Sequence, residues 1–184
     1  MPVQTPICDF GKKALPFELK STDNKIISLD DIKGENGTLI MFICNHCPYV
    51  KAITKEIVED CNELKKIGIN SVAICSNDFI NYPEDSFDNM IKFSKDNQFS
   101  FPYLQDETQK IAKKYDAVCT PDFFGYDKDL GLQYRGRLRE LKNFIPVKDG
   151  ESDLLKAMKQ IAETGKGPKD QIPSAGCGIK WKYN

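Results

Sequence analysis

The sequence has one histidine, almost no net charge and no long apolar run, and each shortage argues against a class of function. Among 184 residues, 26 basic and 27 acidic side chains give a formal charge of -1. This balance argues against nucleic acid or a membrane surface as a partner. No window approaches the roughly 18 apolar residues of a membrane span, and the N-terminus lacks the basic and apolar regions of a secretory signal. We therefore expect a cytoplasmic protein.

The single histidine, His46, also limits metal and cofactor chemistry. A zinc site usually needs a second C-x-x-C or a histidine pair, and the sequence has neither. Covalent haem needs histidine directly after the second cysteine, where this chain has Pro48. No G-x-G-x-x-G or G-x-x-x-x-G-K-[ST] nucleotide loop occurs. We expect no metal and no cofactor; Cu(I) held by Cys44 and Cys47 alone remains an alternative.

Cysteine, by contrast, is plentiful. The seven cysteines are Cys8, Cys44, Cys47, Cys61, Cys75, Cys119 and Cys177. An odd number, spread over a chain large enough to be stable without cross-links, argues against a disulfide framework and for a reducing compartment. Two of them lie three apart in the segment FICNHCPYV (42–50), on either side of His46. We expect one reactive thiol pair there.

Two buried strands, each followed by a helix, predict an α/β sheet with parallel strands. The runs TLIMFIC (38–44) and INSVAIC (69–75) are nearly continuous apolar segments, typical of strands buried on both faces. Apolar residues recur at helical spacing between Cys47 and Gly68, and a further helix is expected near 84–96. Each such strand-helix-strand crossover favours parallel pairing.

The rest of the chain predicts one domain, 1–184, with additions at its ends. The N-terminal arm covers 1–15, and the irregular tail, rich in Gly, Pro and Lys, covers 165–184. Between them we expect two hairpins, one over 16–30 and one of strands 123–127 and 132–136. We also expect a short helix over 106–115 and a last helix over 152–163 capped by Ser152.

The position of the cysteine pair has a direct chemical consequence. A buried strand runs into a helix there, and the first-turn amides and the helix dipole stabilise a thiolate, lowering the thiol pKa from about 8.5 to between about 3.5 and 7.5. Pro48 suits a first helical turn because its missing amide hydrogen would have had no partner. His46 either favours the thiolate further or is simply solvated at the helix start.

The order strand, C-x-x-C, helix and a later Thr120-Pro121 resembles the thioredoxin fold, a central mixed sheet flanked by helices. Other stretches are similar to its redoxin or AhpC/TSA-type branch: YPEDS (82–86), FPYLQDETQ (101–109), VCTPDFFGYD (118–127), YRGRL (134–138) and PSAGCGIKWK (173–182). On this resemblance the hairpin at 16–30 is an N-terminal extension, and the helix near 84–97 is an insertion.

The resemblance implies thiol-disulfide oxidoreductase activity. Cys44 would be the attacking thiolate, exposed at the helix start, and Cys47 the resolving thiol. Thr120 and Pro121 would form a loop with a cis peptide bond that pairs with the backbone of the substrate. Partners would be a disulfide-containing protein, or a small disulfide or peroxide, and a cellular thiol reductant.

Departures from the resembled families leave alternatives open. The strand TLIMFI offers no buried carboxylate to take the proton of the resolving thiol. The peroxiredoxin pattern P-x-x-x-[TS]-x-x-C, laid on Cys47, lacks both anchors, since Ile40 and Cys44 stand at those positions. Arg135 or Arg137 in YRGRL could supply positive charge to a thiolate; the alternative is that both are ordinary surface arginines on an edge hairpin. A peroxiredoxin-like hydroperoxide reductase and a non-enzymatic redox sensor therefore stay open beside the oxidoreductase.

Two other cysteines are candidates for a third thiol. Cys119 precedes the Thr120-Pro121 loop, and Cys177 lies between two glycines in the tail, from which it would relay the disulfide if the tail folds over the site. The alternatives are a buried strand residue and a plain loop cysteine. Cys61 and Cys75 are expected in the core.

Overall fold

The buried apolar runs form adjacent strands of a mixed sheet in the computed structural model, which describes residues 1–183. The strands are β1 Val3–Gln4, β2 Glu18–Ser21, β3 Ile26–Ser28, β4 Gly37–Phe42, β5 Ile69–Cys75, β6 Tyr103–Gln105, β7 Cys119–Thr120, β8 Asp122–Tyr126, β9 Leu132–Tyr134, β10 Leu141–Lys142, β11 Ile145–Pro146 and β12 Ala175–Gly178. The helices are α1 Leu29–Ile32, α2 Pro48–Lys51, α3 Thr54–Lys66, α4 Phe87–Asp96, α5 Lys110–Lys114 and α6 Asp153–Thr164, with a 3-10 turn at Pro83–Asp85.

The main sheet has seven strands in the order β3-β2-β6-β5-β4-β8-β9. Strand β4 pairs in parallel with β5, and β5 pairs in parallel with β6, as the crossovers predicted. The N-terminal hairpin β2-β3 and the hairpin β8-β9 are antiparallel and also confirm the prediction. The mixed sheet flanked by helices is the architecture expected of a thioredoxin fold.

Side chains of β4 alternate between two hydrophobic cores, one on each face of the sheet. Leu39 and Met41 pack on the face covered by α3, α4 and α6, whereas Ile40 and Phe42 pack on the face covered by α1 and α5. This is the period-2 alternation of a strand applied to a run that is apolar throughout. Burial of each such side chain contributes about 1.5 to 3 kcal/mol, so β4 anchors both layers and fixes where its carboxyl end lies.

The helix predicted after Cys47 is divided in two. The side-chain hydroxyl of Thr54 donates to the carbonyl of Val50 at 2.7 Å, and Ile53 has non-helical dihedral angles of φ -120° and ψ 3°. A threonine that bonds the carbonyl four residues back competes with the helical ladder and bends it. The short helix α2 therefore carries the cysteine pair, and α3 follows as a separate element.

Two other helices differ in their bounds from the prediction. The insertion between β5 and β6 begins with the 3-10 turn, and α4 starts only after Ser86, whose hydroxyl caps it. Helix α5 is shorter than the predicted 106–115 because Gln109 is in the left-handed region at φ 65°, and Asp106 accepts the amide of Ala112 from outside the helix. Across residues 1–183 the structure has no helix of the length and apolarity that crossing a membrane requires.

The prediction of an irregular tail is wrong for its most important segment. Strand β12 lies between β1 and β7 and is antiparallel to both, with Cys177 opposite Thr120. A Cβ on Gly176 would lie 2.0 Å from the Thr120 carbonyl oxygen, so only glycine permits this approach. The sequence AGCG has no strand pattern of its own, and tertiary contact makes it a strand. The predicted arm at 1–15 likewise supplies β1.

A buried carboxyl group on α3 gives the fold a specific pH dependence. Burial raises the pKa of Asp60 to about 6, although the Ser152 hydroxyl donates to it at 2.6 Å. Between the unfolded pKa of 3.8 and the folded value, the native state binds more protons, so this group makes stability fall as pH rises. We expect Asp60→Asn to gain about 2 kcal/mol relative to the wild type between pH 4 and pH 7, measured by urea unfolding. Glu59→Gln, at an exposed neighbouring position, is the control; equal pH profiles for wild type and Asp60→Asn would contradict this.

Candidate active site

The C-x-x-C segment links the carboxyl end of β4 to α2, as predicted, but both cysteines are buried. Cys47 occupies the N-cap position of α2, and Pro48 is the first helical residue. Cys44 is 1% exposed and Cys47 is 0% exposed. The expectation that Cys44 is exposed at the helix start is therefore wrong, and both residues belong to the core on the α3 side of the sheet.

The loop at Thr120-Pro121 faces the pair, and its peptide bond is cis, as the sequence predicted. The Thr120 hydroxyl lies 3.4 Å from the sulfur of Cys44, and the Thr120 carbonyl lies 3.2 Å from the sulfur of Cys47. One residue thus touches both thiols. Its backbone edge, expected to be open for an incoming substrate chain, is instead paired with β12.

The two cysteines are close enough to affect each other's ionisation, and their surroundings favour the thiolate on Cys47. Its pKa is lowered to about 4, first by the thiol of Cys44 and further by the thiol of Cys177 and the amides of Val50 and Cys177. Burial and the Thr120 carbonyl, which accepts from the Cys47 thiol at 3.2 Å, oppose the ionisation of Cys47, and these four groups outweigh them. The first-turn amide acts as expected at a helix start. The attacking role of Cys44 and the resolving role of Cys47 stay predictions.

A buried carboxylate next to Cys44 also favours the protonated form of Cys44. The pKa of Cys44 is raised by its hydrogen bond to Cys47, by burial and by the negative charge of Asp85. The Asp85 side chain is fully buried, and it accepts the amide of Asn45 at 2.8 Å and the side-chain amide of Asn77 at 2.9 Å. Asp85 comes from the 3-10 turn of the insertion, which is why the strand TLIMFI gave no sign of it.

His46 lies beside the pair and contacts this carboxylate. Its Nδ1 is 2.7 Å from Asp85 Oδ2, in a close polar contact that is not aligned as a hydrogen bond, and its ring stacks on Tyr82 with centroids 6.0 Å apart. The side chain is 26% exposed. His46 is thus held by Asp85 and Tyr82 at the edge of the site and is not freely solvated; its tuning role stays a prediction.

Among residues 1–183, one cluster combines three potential metal ligands. Donor atoms of Cys44, His46 and Asp85 lie within 4.8 Å of one another. Asp85 is already satisfied by the amides of Asn45 and Asn77, and Cys44 by Thr120 and Cys47. Two of the three donor groups are therefore engaged in protein contacts, and Nδ1 of His46 has no aligned hydrogen bond.

The comparisons with known proteins agree with this geometry. A family model described as AhpC/TSA matches residues 10–137. The chain belongs to the AhpC/TSA family. It is a thioredoxin-like redoxin, and the structures that share its fold include a thiol-disulfide oxidoreductase and a peroxidoxin. No curated protein matches the sequence.

Two solved structures match this AhpC/TSA chain over its whole length. An uncharacterized conserved protein from Geobacillus kaustophilus is 44% identical with a TM-score of 0.93, covering 100% of this chain and 98% of that one. A hypothetical protein from Sinorhizobium meliloti 1021 is 31% identical with a TM-score of 0.91, covering 100% of both chains. The thioredoxin domain of a Bacteroides vulgatus thiol-disulfide oxidoreductase matches at 15% identity and TM-score 0.58, over 68% of this chain and 86% of that chain, which shows the shared fold.

The arginines that the sequence offered to a thiolate are bound to carboxylates. Arg135 donates to both carboxylate oxygens of Asp122, at 3.2 and 2.9 Å, and Arg137 donates to Asp153 at 2.7 Å. In the described part of the chain neither makes a hydrogen bond to a cysteine of the pair. No contact therefore supports the expectation that one of these arginines stabilises the thiolate. In this redoxin the pKa of Cys47 is lowered by neighbouring thiols and backbone amides.

The remaining cysteines divide into core residues and one neighbour of the site. Cys61, Cys75 and Cys119 are buried, and burial is the first cause that raises the pKa of each thiol. Cys119 directs its sulfur at the Pro121 carbonyl, 3.6 Å away. Cys177 is only partly buried, pairs with Thr120 and packs against the core cluster that contains Cys44 and Cys47, so the tail does fold over the site as the relay hypothesis required.

Proposed function

We propose that this redoxin is a thiol-disulfide oxidoreductase that cycles Cys44 and Cys47 between dithiol and disulfide. The observation that carries the proposal is the convergence of both sulfurs on Thr120, at 3.4 and 3.2 Å, beside the Pro121 turn. Two thiols in mutual contact, one ionised and one protonated, are the arrangement that disulfide exchange needs.

The proposed cycle gives each cysteine one task. The Cys47 thiolate attacks one sulfur of a substrate disulfide and releases the other half as a thiolate, which takes up a proton. Cys44 then loses its proton and attacks the sulfur of Cys47, so that a Cys44-Cys47 disulfide forms and the second half of the substrate leaves. The substrate gains two electrons and two protons, and a cellular thiol reductant restores the pair.

The substrates we propose are small disulfides in preference to folded proteins. Both sulfurs are at most 1% exposed, and the Thr120 edge that would bind a protein backbone is paired with β12. A protein chain would have to displace that strand first. We place the reaction in the cytoplasm, where thiol reductants keep such a pair reduced.

Hydroperoxide reduction is the second candidate, and one observation favours it. Cys47 combines full burial with a pKa lowered to about 4, and a molecule as small as hydrogen peroxide needs little room to reach it. The thiolate would be oxidised to a sulfenic acid with release of water, and Cys44 would then form the same disulfide and release a second water.

A single-turnover experiment separates these functions. Reduced protein is mixed in stopped flow with oxidised glutathione in one arm and hydrogen peroxide in the other. We expect the glutathione disulfide to react at least about tenfold faster than it does with free cysteine, since the thiolate is already formed at neutral pH. A fast reaction with peroxide alone would favour the second candidate. If neither oxidant outpaces its reaction with free cysteine, both enzymatic functions fail and a redox sensor without turnover remains.

A further inference from the structure

Strand β12 occupies the position where a thioredoxin-like protein would pair with its substrate chain. Cys177 lies directly opposite Thr120, and Gly178 lies opposite Cys119. The tail is held there by further bonds, since the Ser174 hydroxyl donates to the Pro121 carbonyl at 2.7 Å and the Thr5 amide donates to the Ser174 carbonyl at 3.0 Å. The chain thus presents one of its own cysteines to the site, as a bound peptide would.

The cysteine that β12 presents lies next to Cys47. Cys177 pairs with Thr120, whose carbonyl accepts from the sulfur of Cys47 at 3.2 Å, and it packs against the core cluster that contains Cys44 and Cys47. Its thiol is also among the groups that lower the pKa of Cys47. Gly176 allows this approach, because a Cβ there would collide with the Thr120 carbonyl oxygen at 2.0 Å. The three cysteines are therefore neighbours, with Cys47 between Cys44 and Cys177.

Exposure differs among these three cysteines. Cys44 and Cys47 are buried, whereas Cys177 is only partly buried. Lys180 and the N-terminal amine add positive charge near Cys177, which favours its ionised form and attracts anionic thiols. Of the three thiols, Cys177 is the one that a molecule in solution can reach while β12 stays in place.

We infer that Cys177 is a third redox thiol, through which the buried Cys44-Cys47 pair exchanges its disulfide with small thiols and disulfides in solution. This inference rests on the proposed function, because it assigns the route by which that pair is reached. It makes β12 a fixed part of the active site.

Reduction of the oxidised pair then takes three exchange steps. Cys177 loses its proton and attacks the sulfur of Cys47, so that a Cys47-Cys177 disulfide forms and Cys44 leaves and takes up a proton. A solution thiolate attacks the sulfur of Cys177, and Cys47 leaves as a thiolate. A second solution thiol attacks the mixed disulfide, releases its oxidised dimer and restores Cys177. Two solution thiols are oxidised for each protein disulfide reduced, and the reverse sequence reduces a small disulfide.

The chemistry of the leaving groups supports the second of these steps, whereas the first step follows from the position of Cys177 next to Cys47. Disulfide exchange is faster when the departing thiol has a low pKa, and that of Cys47 is lowered to about 4. The pKa of Cys177 is raised to about 11 by burial and by the hydrogen bond to Cys47, so attack on a Cys47-Cys177 disulfide releases Cys47. The solution thiol is thereby captured on the more exposed sulfur.

The test measures how fast reduced glutathione opens the Cys44-Cys47 disulfide in the full-length oxidised protein, with acid quenching and peptide mass mapping. We expect Cys177→Ser to slow this reduction at least about tenfold, while Cys8→Ser, at the other partly buried cysteine, leaves it unchanged. A Cys177→Ser protein that is reduced at the wild-type rate would overturn the inference. It would show that β12 shields the pair from solvent but takes no part in disulfide exchange.

A second measurement does not depend on the Cys177→Ser protein. In Cys44→Ser, one equivalent of oxidised glutathione should leave a Cys47-Cys177 disulfide as the main product. A stable glutathione adduct on Cys47, with Cys177 free, would contradict the relay. Failure of the proposed function would give a different result. The reduced wild type would then react with oxidised glutathione and with hydrogen peroxide no faster than free cysteine does.

Discussion

Replacing Cys47 by serine is expected to lower oxidation of the buried C-x-x-C site by both oxidised glutathione and hydrogen peroxide by at least about a thousandfold, because a hydroxyl neither ionises near neutral pH nor forms a disulfide. Cys44→Ser should behave differently. The serine hydroxyl can still donate to the Cys47 sulfur, so the first reaction with the oxidant should continue while the Cys44-Cys47 disulfide no longer forms. Stopped-flow kinetics with mass analysis of the products checks both expectations.

The comparison of these two variants tests which thiol attacks. The opposite assignment, with Cys44 as nucleophile, predicts that Cys44→Ser loses the first step and that Cys47→Ser retains it as an adduct trapped on Cys44. Cys8→Ser is the control for a general effect of removing a thiol, since Cys8 lies outside the core cluster that contains the pair. Equal losses in all three variants would indicate damage to the fold.

The second large effect is expected at the buried ion pair that follows the Pro121 turn. Arg135 and Asp122 have side chains that are 7% and 0% exposed, and burial raises the pKa of the Asp122 carboxyl. Asp122 also accepts the amide of Val118 at 3.1 Å, and Arg135 donates to the Asp116 carbonyl at 2.8 Å. The pair thus fixes both ends of the segment that carries Thr120.

Arg135→Met should destabilise the protein by about 3 to 5 kcal/mol in urea unfolding, since it leaves the Asp122 carboxylate buried without its partner. The double variant Arg135→Met with Asp122→Asn should recover much of this loss, because no buried charge is then unpaired. Arg137→Met is the control: its ion pair with Asp153 is more exposed, and its loss should cost no more than about 1 kcal/mol. Equal costs at the two arginines would contradict this account of the loop.

The sequence predicted those parts of the fold whose side chains carry their own pattern. The runs TLIMFIC and INSVAIC became β4 and β5 because continuous apolar segments of that length are stable only when covered on both faces. Helix α6 followed from its periodicity and from Ser152, whose hydroxyl accepts the amide of Leu155. Strand β12 had no such pattern, since it exists through the close approach of Gly176 to Thr120.

The sequence predicted those residues of the site that belong to a recognisable motif. Cys44 and Cys47 followed from the C-x-x-C motif, and the cis bond at Pro121 followed from the resemblance to the thioredoxin fold, but the burial of the pair did not, because it depends on where the tail folds. Asp85 was missed because it falls at the start of the helix predicted over 84–96, where the structure has a 3-10 turn that carries this carboxylate into the site. A buried carboxylate in contact with the only histidine leaves no periodic signal in the sequence.

The central claim is that Cys47 holds a thiolate in the reduced protein, and the ultraviolet absorbance of that thiolate tests it most directly. An ordinary thiol, with a pKa of about 8.5, is almost fully protonated at about pH 5.5. With the pKa of Cys47 lowered to about 4, we expect one thiolate to persist at that pH in the wild type, in Cys8→Ser and in Cys44→Ser, and to be absent from Cys47→Ser. A thiolate that disappears with Cys44→Ser and survives Cys47→Ser, or a wild type with none at that pH, would contradict the account.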